Sequence, residues 1–501
     1  MRTEHQALDH LRAARDAGGA QAVLRVLAEH WDALLHDHPK ELLLTLDAMS
    51  VEALTSHPQL VHYRRFLLDR NPPAEAEPMS REGSLEELRS LTRQVVAART
   101  LGRITVAAKR ADAATAFLRN ISEASPRLTQ SLPPLHYEWA ETFVQAGRFT
   151  DALGQFIDAH EGARDTGDDR MARASAGGAA LMHAVFGRGR EAQTLLADVP
   201  TGLDEENATL STVPGAIAHA WRDIDRLEYD RASRILARIE VSESPSYWVP
   251  YYIARTTLAA AGREGPQTLL AHFDTFLDSR PTWGVAAPGH VEAIGIIRHL
   301  LLRQLERPEQ AMKELSLQPA SPRAGLFPQV QAVTQARHLL TLGHVHQARQ
   351  LVRPLLNVES SRPRILIPAL LLAAETDGTQ SAEVFLRRAA VLAQWHGHYS
   401  PLLYSSPDVR YRVTEILSES GEDVGDRILS LPSHTRTYGT DLLSDREREV
   451  VELAMNGLKI VDIASHLHVS PNTVKSHLFR VYRKLEISTK KQLAERIGAY
   501  R

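Results

Sequence analysis

The chain has 501 residues, 43% of them apolar, enough for about three domains or for one long repeat array with a domain attached. It contains no cysteine, which excludes disulfides and thiolate metal sites and suits a reducing cytosol. The net charge of −3 is unevenly spread: Asp441 to Arg501 holds 11 Lys or Arg against 8 Asp or Glu, giving +3 and leaving −6 for the first 440 residues.

The opening Met-Arg-Thr-Glu-His-Gln does not begin a signal peptide. The longest apolar run, Ile365 to Ala374, contains Pro368 and is too short to span a bilayer, so a cytoplasmic protein with no membrane partner is expected. Before residue 440 strand signals are scarce, and Ala, Leu, Arg, Glu and Gln recur with apolar spacings of three and four, which predicts helices. Asn71 to Gly83 reads as a loop, closed by a capping box at Ser84 and Glu87. A faint repeat follows. Gln145-Ala-Gly-Arg-Phe-Thr-Asp-Ala152 recurs as Val185-Phe-Gly-Arg-Gly-Arg-Glu-Ala192, and Arg226-Leu-Glu-Tyr-Asp-Arg-Ala232 follows at the same offset of 40. Looser copies end at Ala311 and Ala348, and a degenerate one lies near Gly262. Each copy reads as a helix, a tight turn and a second helix with a small Ala at the contact. This is a helix-pair repeat of tetratricopeptide type, stretched beyond its usual length of about 34 residues. Such pairs bury their apolar faces only by stacking, which predicts a superhelix with a concave groove.

Tyr247, Trp248, Tyr251 and Tyr252 place four aromatics in six positions as two i,i+4 pairs. They read either as packing between repeats or as an aromatic wall for a small effector or peptide, with Trp283 and His290 near it. His344 and His346, and His396 and His398, form close pairs, but no third ligand stands at metal spacing; surface or capping histidine is expected, with no metal and no cofactor. No nucleophile elbow, paired-carboxylate pattern or phosphate-binding G-x-x-x-x-G-K-[S/T] loop is present, so no enzyme is expected. Residues 1–419 are therefore read as a helical sensor or interaction array, 420–441 as a linker, and 442–501 as a separate four-helix domain in an all-α chain.

In that last domain Ser444-Asp-Arg-Glu447 is a capping box that opens a helix with Val450, Val451, Leu453 and Ala454, and Gly457 ends it. A short helix carries Ile460, Ile463, Ala464 and Leu467. The turn at Val469-Ser470 leads into a third helix, with Ser470 as N-cap and Pro471 at its first position. At 100° per residue, Val474, Leu478, Val481 and Leu485 share one face, while Asn472, Ser476, Phe479 and Arg483 lie opposite, flanked by Lys475 and Arg480. From Lys475 to Lys491 there are six Lys or Arg and one acid, Glu486. A fourth helix starts at Ser488 or Thr489 and carries Leu493, Ala494 and Ile497. A helix-turn-helix with a basic outer face is an arrangement that enters the DNA major groove.

These residues (L-S-D-R-E-R-E-V-V-E-L-A, then D-I-A, V-S-P-N-T-V-K-S-H-L and Y-R-K-L) resemble the LuxR-type helix-turn-helix domain over 442–499. The resemblance implies a transcriptional regulator that binds double-stranded DNA and contacts RNA polymerase. It assigns Thr473 and Lys475 to phosphate or base edges, His477 to bracing the helix, and Arg480, Arg483 and Lys484 to phosphates. It makes Arg446 and Glu447 structural and the fourth helix a dimer surface, so a homo-oligomer is expected. His38-Pro-Lys-Glu-Leu-Leu-Leu to His57-Pro-Gln-Leu, and residues 384–417, resemble parts of the helical array in MalT-like regulators. That resemblance implies an array that receives a small-molecule or protein effector, here without a nucleotide-binding domain. The chain departs from the LuxR pattern at Lys459, Ile460 and Val461, which leave the second helix without its usual cap at a cost of about 1 kcal/mol. It departs again at Phe479, which either packs on a thymine methyl or covers a protein surface. The rival reading is an interaction scaffold whose helix-turn-helix serves protein contact.

Overall fold

The computed structural model describes residues 2–16, 22–27, 30, 34, 38–47, 49, 83–121, 126–200, 213–241, 245–279, 289–316, 326–356, 362–377, 379–432, 445–455, 458–484 and 493. Among these the fold is all-α, without a strand. Helices α1 (Arg2–Asp16) and α2 (Pro39–Asp47) come first. Seven pairs follow: α3 (Gly83–Thr100) with α4 (Ile104–Arg119), α5 (Pro126–Gln145) with α6 (Phe149–Thr166), α7 (Asp169–Phe186) with α8 (Gly189–Leu196), α9 (Val213–Asp225) with α10 (Tyr229–Leu236), α11 (Trp248–Ala260) with α12 (Pro266–Asp278), α13 (His290–Gln304) with α14 (Pro308–Ser316), and α15 (Leu326–Thr341) with α16 (Val345–Leu356). Then come α17 (Pro363–Thr376), α18 (Thr379–His396), α19 (Pro407–Glu419) and the short α20 (Gly425–Leu429).

One turn builds all seven pairs. A left-handed residue ends the first helix at Gly102, Gly147, Gly187, Leu227, Gly262, Glu306 and Gly343. The next N–H then donates to the carbonyl five residues back, as in Arg148 to Phe143 at 2.8 Å and Glu228 to Asp223 at 2.7 Å. This satisfies carbonyls the helix end would otherwise leave unpaired. Five residues after the turn stands an alanine (Ala107, Ala152, Ala192, Ala232, Ala311, Ala348), and each is essentially fully buried. The small side chain lets the returning helix pack closely on the first. The Gly262 copy has Gln267 there, in keeping with its degenerate sequence. The copy at Gly102 and Ala107 escapes the sequence reading although Gly102-Arg103-Ile104-Thr105-Val106-Ala107 matches Gly147-Arg148-Phe149-Thr150-Asp151-Ala152 at four of six positions. Leu227 and Glu306 adopt the left-handed conformation without glycine, at φ 64° and 57°, at a cost of roughly 1–2 kcal/mol each.

The stack also closes back on itself. Arg364 on α17 forks onto Asp225 at the end of α9, with Nη1–Oδ1 2.8 Å and Nη2–Oδ2 2.7 Å, and donates to the Ala184 carbonyl on α7. Its guanidinium lies 4.2 Å from the Trp221 ring centre. Ser400 Oγ donates to Asp225 Oδ1 at 2.7 Å, the Tyr399 N–H donates to the Asp225 carbonyl at 2.8 Å, and His398 Nδ1 sits 2.8 Å from Asp225 Oδ1. Expected at the surface or a cap, His398 is instead buried in this cluster. Burial and the Arg364 charge hold its pKa below the ordinary value, so it is a neutral partner and Arg364 is the counter-charge. Nearby, Arg190 stacks 3.6 Å from the Trp395 ring centre and donates to the Trp395 carbonyl at 2.9 Å. Nearer the middle of the array, Gln145 donates to Ser246 at 2.8 Å and Phe149 meets Phe327 with ring centres 5.6 Å apart.

The closure is tight enough to test at one atom. A Cβ on Gly189 would stand 1.9 Å from the His396 carbonyl oxygen. Gly189→Ala must push α18 away from α8, and we expect it to cost about 3 kcal/mol, at the upper end for overpacking. A urea midpoint equal to that of the parent chain would refute this contact.

The expected linker at 420–441 begins later than the sequence suggests. Val424, Ile428 and Leu431 are buried in the array core. Buried Arg410 donates to the carbonyls of Leu402, Leu403, Leu431 and Pro432 at 2.7–2.9 Å, which fixes the chain through residue 432. The Gly, Ser and Asp content of this stretch hides three apolar anchors and a clamp supplied from α19. The expected loop at 71–83 lies outside the described residues except for Gly83, where α3 begins. No helix among the described residues is long and apolar enough to cross a membrane.

Candidate nucleic-acid interface

After Pro432 the next described helices are α21 (Asp445–Met455), α22 (Ile460–His466) and α23 (Pro471–Lys484). Val450, Ala454, Ile463, Ala464, Val474 and Leu478 form their common core. Val451, Val481 and Leu493 form a second cluster. Leu493 is helical and buried, as a fourth helix requires, while the rest of that segment, Ser444, Gly457 and Leu485 lie outside the described residues.

Several helix boundaries have a visible cause. The α22–α23 turn has the same form as the array turns: Val469 N–H donates to the Ala464 carbonyl at 3.0 Å and His468 takes a left-handed φ of 52°. Histidine is among the residues that tolerate this conformation. Ser470 then caps α23, its Oγ accepting from Thr473 N–H at 3.1 Å and lying 2.8 Å from Thr473 Oγ1. Arg446 pairs with Glu449 at 2.7 Å and donates to the Leu467 carbonyl, tying the start of α21 to the end of α22. Its structural role is thus visible, with Glu449 as its carboxylate. The missing cap at α22 is half replaced. A lysine ammonium has no lone pair to accept a hydrogen bond, but Asp462 accepts from the Lys459 N–H at 3.3 Å, the reciprocal half of a capping box.

The face of α23 away from the core carries Asn472, Lys475, Ser476, Phe479 and Arg480, all exposed. Phe479 is 68% exposed, more than any other large apolar side chain among the described residues. Lys475, Ser476, Phe479 and Arg480 line a shallow depression of about 410 Å³. Thr473 is half-buried and its hydroxyl is engaged by Ser470. His477 is half-buried, with Nδ1 enclosed and without a hydrogen-bond partner. Arg483 and Lys484 belong to α23, but their side chains lie outside the described residues.

The aromatic quartet is divided differently from a wall. Tyr247, Trp248, Tyr251 and Tyr252 are all buried in the array core. Trp248 packs edge-on against His290, with centres 5.1 Å apart, and Tyr252 contacts Phe273 and Phe276 at 4.7 and 5.1 Å. Tyr247 donates to Glu141, and burial pushes both groups' pKa values up. Tyr251 alone of the four borders a cavity, one of about 510 Å³ between α10, α11 and α12. Leu236, Ile239, Leu258 and Phe276 give it an apolar floor, and Glu240, Arg255, Glu264 and His272 a polar rim. Arg255 pairs with Glu264 and donates to Tyr251 Oη at 3.2 Å. This rim draws on three segments apart in sequence and carries no local motif. Trp283 lies outside the described residues, as do 280–288 generally. Among the described residues no group of three His, Asp or Glu could hold a metal ion.

A capped, basic-faced helix held by two shorter ones defines a helix-turn-helix domain. Residues 441–497 match the family described as bacterial regulatory proteins, luxR family, and this C-terminal domain is a LuxR-family helix-turn-helix domain. A protein of Mycobacterium bovis named "Putative HTH-type transcriptional regulator" is 46% identical over 57 residues, 11% of this chain and 6% of that protein. The HTH-type transcriptional regulator MalT of Vibrio campbellii is 23% identical over 200 residues, 33% of this chain and 22% of that protein. A Mycobacterium tuberculosis protein named "Probable transcriptional regulatory protein NarL" is 49% identical over 47 residues, 9% of this chain and 22% of that protein. The chain thus spans from 6% to 22% of the length of these relatives.

Proposed function

We propose that this chain is a transcriptional regulator whose C-terminal domain binds duplex DNA through α23, while the helical array receives a ligand or protein signal. The observation that carries the reading is the division of α23: Val474, Leu478 and Val481 are buried, whereas Asn472, Lys475, Ser476 and Arg480 face outward without an acidic partner among the described ion pairs. A helix so divided can fill a major groove and present its cations to phosphates. The net +3 of the domain against −6 for the array puts the phosphate-binding charge on the reader alone. Assembly with a second copy and contact with RNA polymerase belong to the same proposal, as does the cavity beside Tyr251 as a place for the signal.

Salt supplies the test. Binding of the full chain to duplex DNA should weaken at least a hundredfold between 50 and 200 mM salt if about five phosphates are neutralised. Lys475→Ala should weaken binding to all sequences and reduce the slope by about one. The exposure of Phe479 and Val461 on this domain favours one rival, a protein-contact module. Affinity that ignores both salt and Lys475 would decide for that rival.

A further inference from the structure

We infer that Phe479 is a specificity-determining residue that selects a thymine, its ring packing on the base's C5-methyl group in the major groove; this rests on the DNA-binding reading above. Phe479 belongs to neither apolar cluster of its domain. Among the described residues no ring and no guanidinium stacks on it. It is not a core residue displaced outward, because the buried positions of α23 are filled by Val474, Leu478 and Val481. It stands one turn beyond Lys475 and Ser476 and beside Arg480, and these four residues line one depression. A helix that seats Lys475 and Arg480 at the phosphates brings the phenyl ring down toward the base edges between them.

The groove floor leaves that ring one apolar complement. Guanine offers two acceptors, adenine an acceptor and a donor, and cytosine a donor; thymine adds a methyl group to its acceptor. Over any of the polar atoms a phenyl ring removes water and returns no hydrogen bond. Over the methyl it buries apolar surface on both sides. One methyl group of transfer free energy corresponds to roughly fourfold in affinity. Phe479 therefore adds a preference for one T at one position of each half-site, and little to general attraction for DNA.

Deoxyuridine isolates the methyl group, since it keeps every hydrogen-bonding edge of thymine. Duplexes bound by the full chain are first selected from a random library, and each thymine common to the selected half-sites is then replaced in turn by deoxyuridine. At one position the replacement should weaken the parent chain about fourfold. Phe479→Ala should bind the thymine duplex as weakly as the parent binds the deoxyuridine duplex, and should no longer distinguish the two. Phe479→Lys should regain affinity on every sequence without regaining that distinction. The exposed position makes folding of both variants the expectation, checked by circular dichroism. The inference is overturned if Phe479→Ala loses equally on thymine and deoxyuridine duplexes, or if no single replacement affects the parent chain. Failure of the parent to bind any duplex would instead overturn the DNA-binding reading beneath it.

Discussion

Arg364→Met should lower the stability of the array by about 3–5 kcal/mol, the cost of leaving a buried carboxylate without its counter-charge. Asp225 is almost fully enclosed, and its other partners are a neutral histidine and a hydroxyl. Burial alone would raise its pKa; Arg364 chiefly, with His398, holds it well below the usual carboxylate range. The residue is thus an anion in the folded protein, and removing Arg364 strands that anion. Asp225→Asn in the Arg364→Met background should return much of the loss, because an amide can share hydrogen bonds with Ser400 and carries no charge to compensate. The four chains of this double-mutant cycle, compared by urea midpoint, give the coupling directly. Additive losses would mean that the two groups do not act as a pair. Protease accessibility of the stretch around Trp395 should rise in step, since α18 is held by the same closure.

The second large effect is acid lability. His299 on α13 and His338 on α15 face each other with ring centres 5.0 Å apart. Burial lowers the pKa of His299 to about 4 and that of His338 to about 3, and the Arg303 charge adds to both shifts. Unfolded, both rings take up a proton near pH 6.5. Between that pH and their folded values the unfolded chain binds more protons, so acid drives unfolding. Their contribution is intact above about pH 7 and falls progressively below 6.5, by roughly 2 kcal/mol for each ring at pH 5. His183, lowered to about 4 mainly by burial, adds to the slope. Asp225 does not contribute in this range, because even unfolded an aspartate takes up its proton only near pH 3.9. His338→Leu should flatten the dependence between pH 6.5 and 4.5, since neither ring nitrogen of His338 has a hydrogen-bond partner to lose. A variant whose denaturation midpoint falls with acid as steeply as the parent's would refute the assignment.

How far the sequence speaks depends on the range of the interaction that decides each feature. The division of α23 into buried Val474, Leu478 and Val481 and outward Asn472, Lys475, Ser476 and Phe479 follows from helix period alone, and the structure has the same division. The helix-pair turns are legible because glycine and an alanine five residues later leave a mark, which the copy at Gly102 carries as clearly as the one at Gly147. The aromatic quartet is legible as two pairs at i,i+4 spacing, but helix period cannot say that Trp248 and Tyr252 meet residues of α12 while Tyr251 meets a cavity. Arg364, Asp225 and Ser400 are ordinary residues of a helical chain until the fold brings together positions 139 and 175 residues apart. The linker boundary failed for a related reason: Arg410 decides it from another helix, through carbonyls that any sequence would supply.

The closure also sets an order of events during synthesis. Asp225 leaves the ribosome long before Arg364, and Ser400 later still, so α7 to α10 exist for some time as a nascent array with an ionised carboxylate open to water. At about 5–20 residues per second the 139 residues from Asp225 to Arg364 take roughly seven to twenty-eight seconds. The early repeats can stack on their neighbours in that time, because those contacts are local, but they cannot adopt the closed arrangement until α17 arrives. A chain truncated or stalled between Asp225 and Arg364 therefore carries a built-in marker of incompleteness: a stretch of folded repeats that remains open, soluble in its charge and accessible to a protease until the final helices are made.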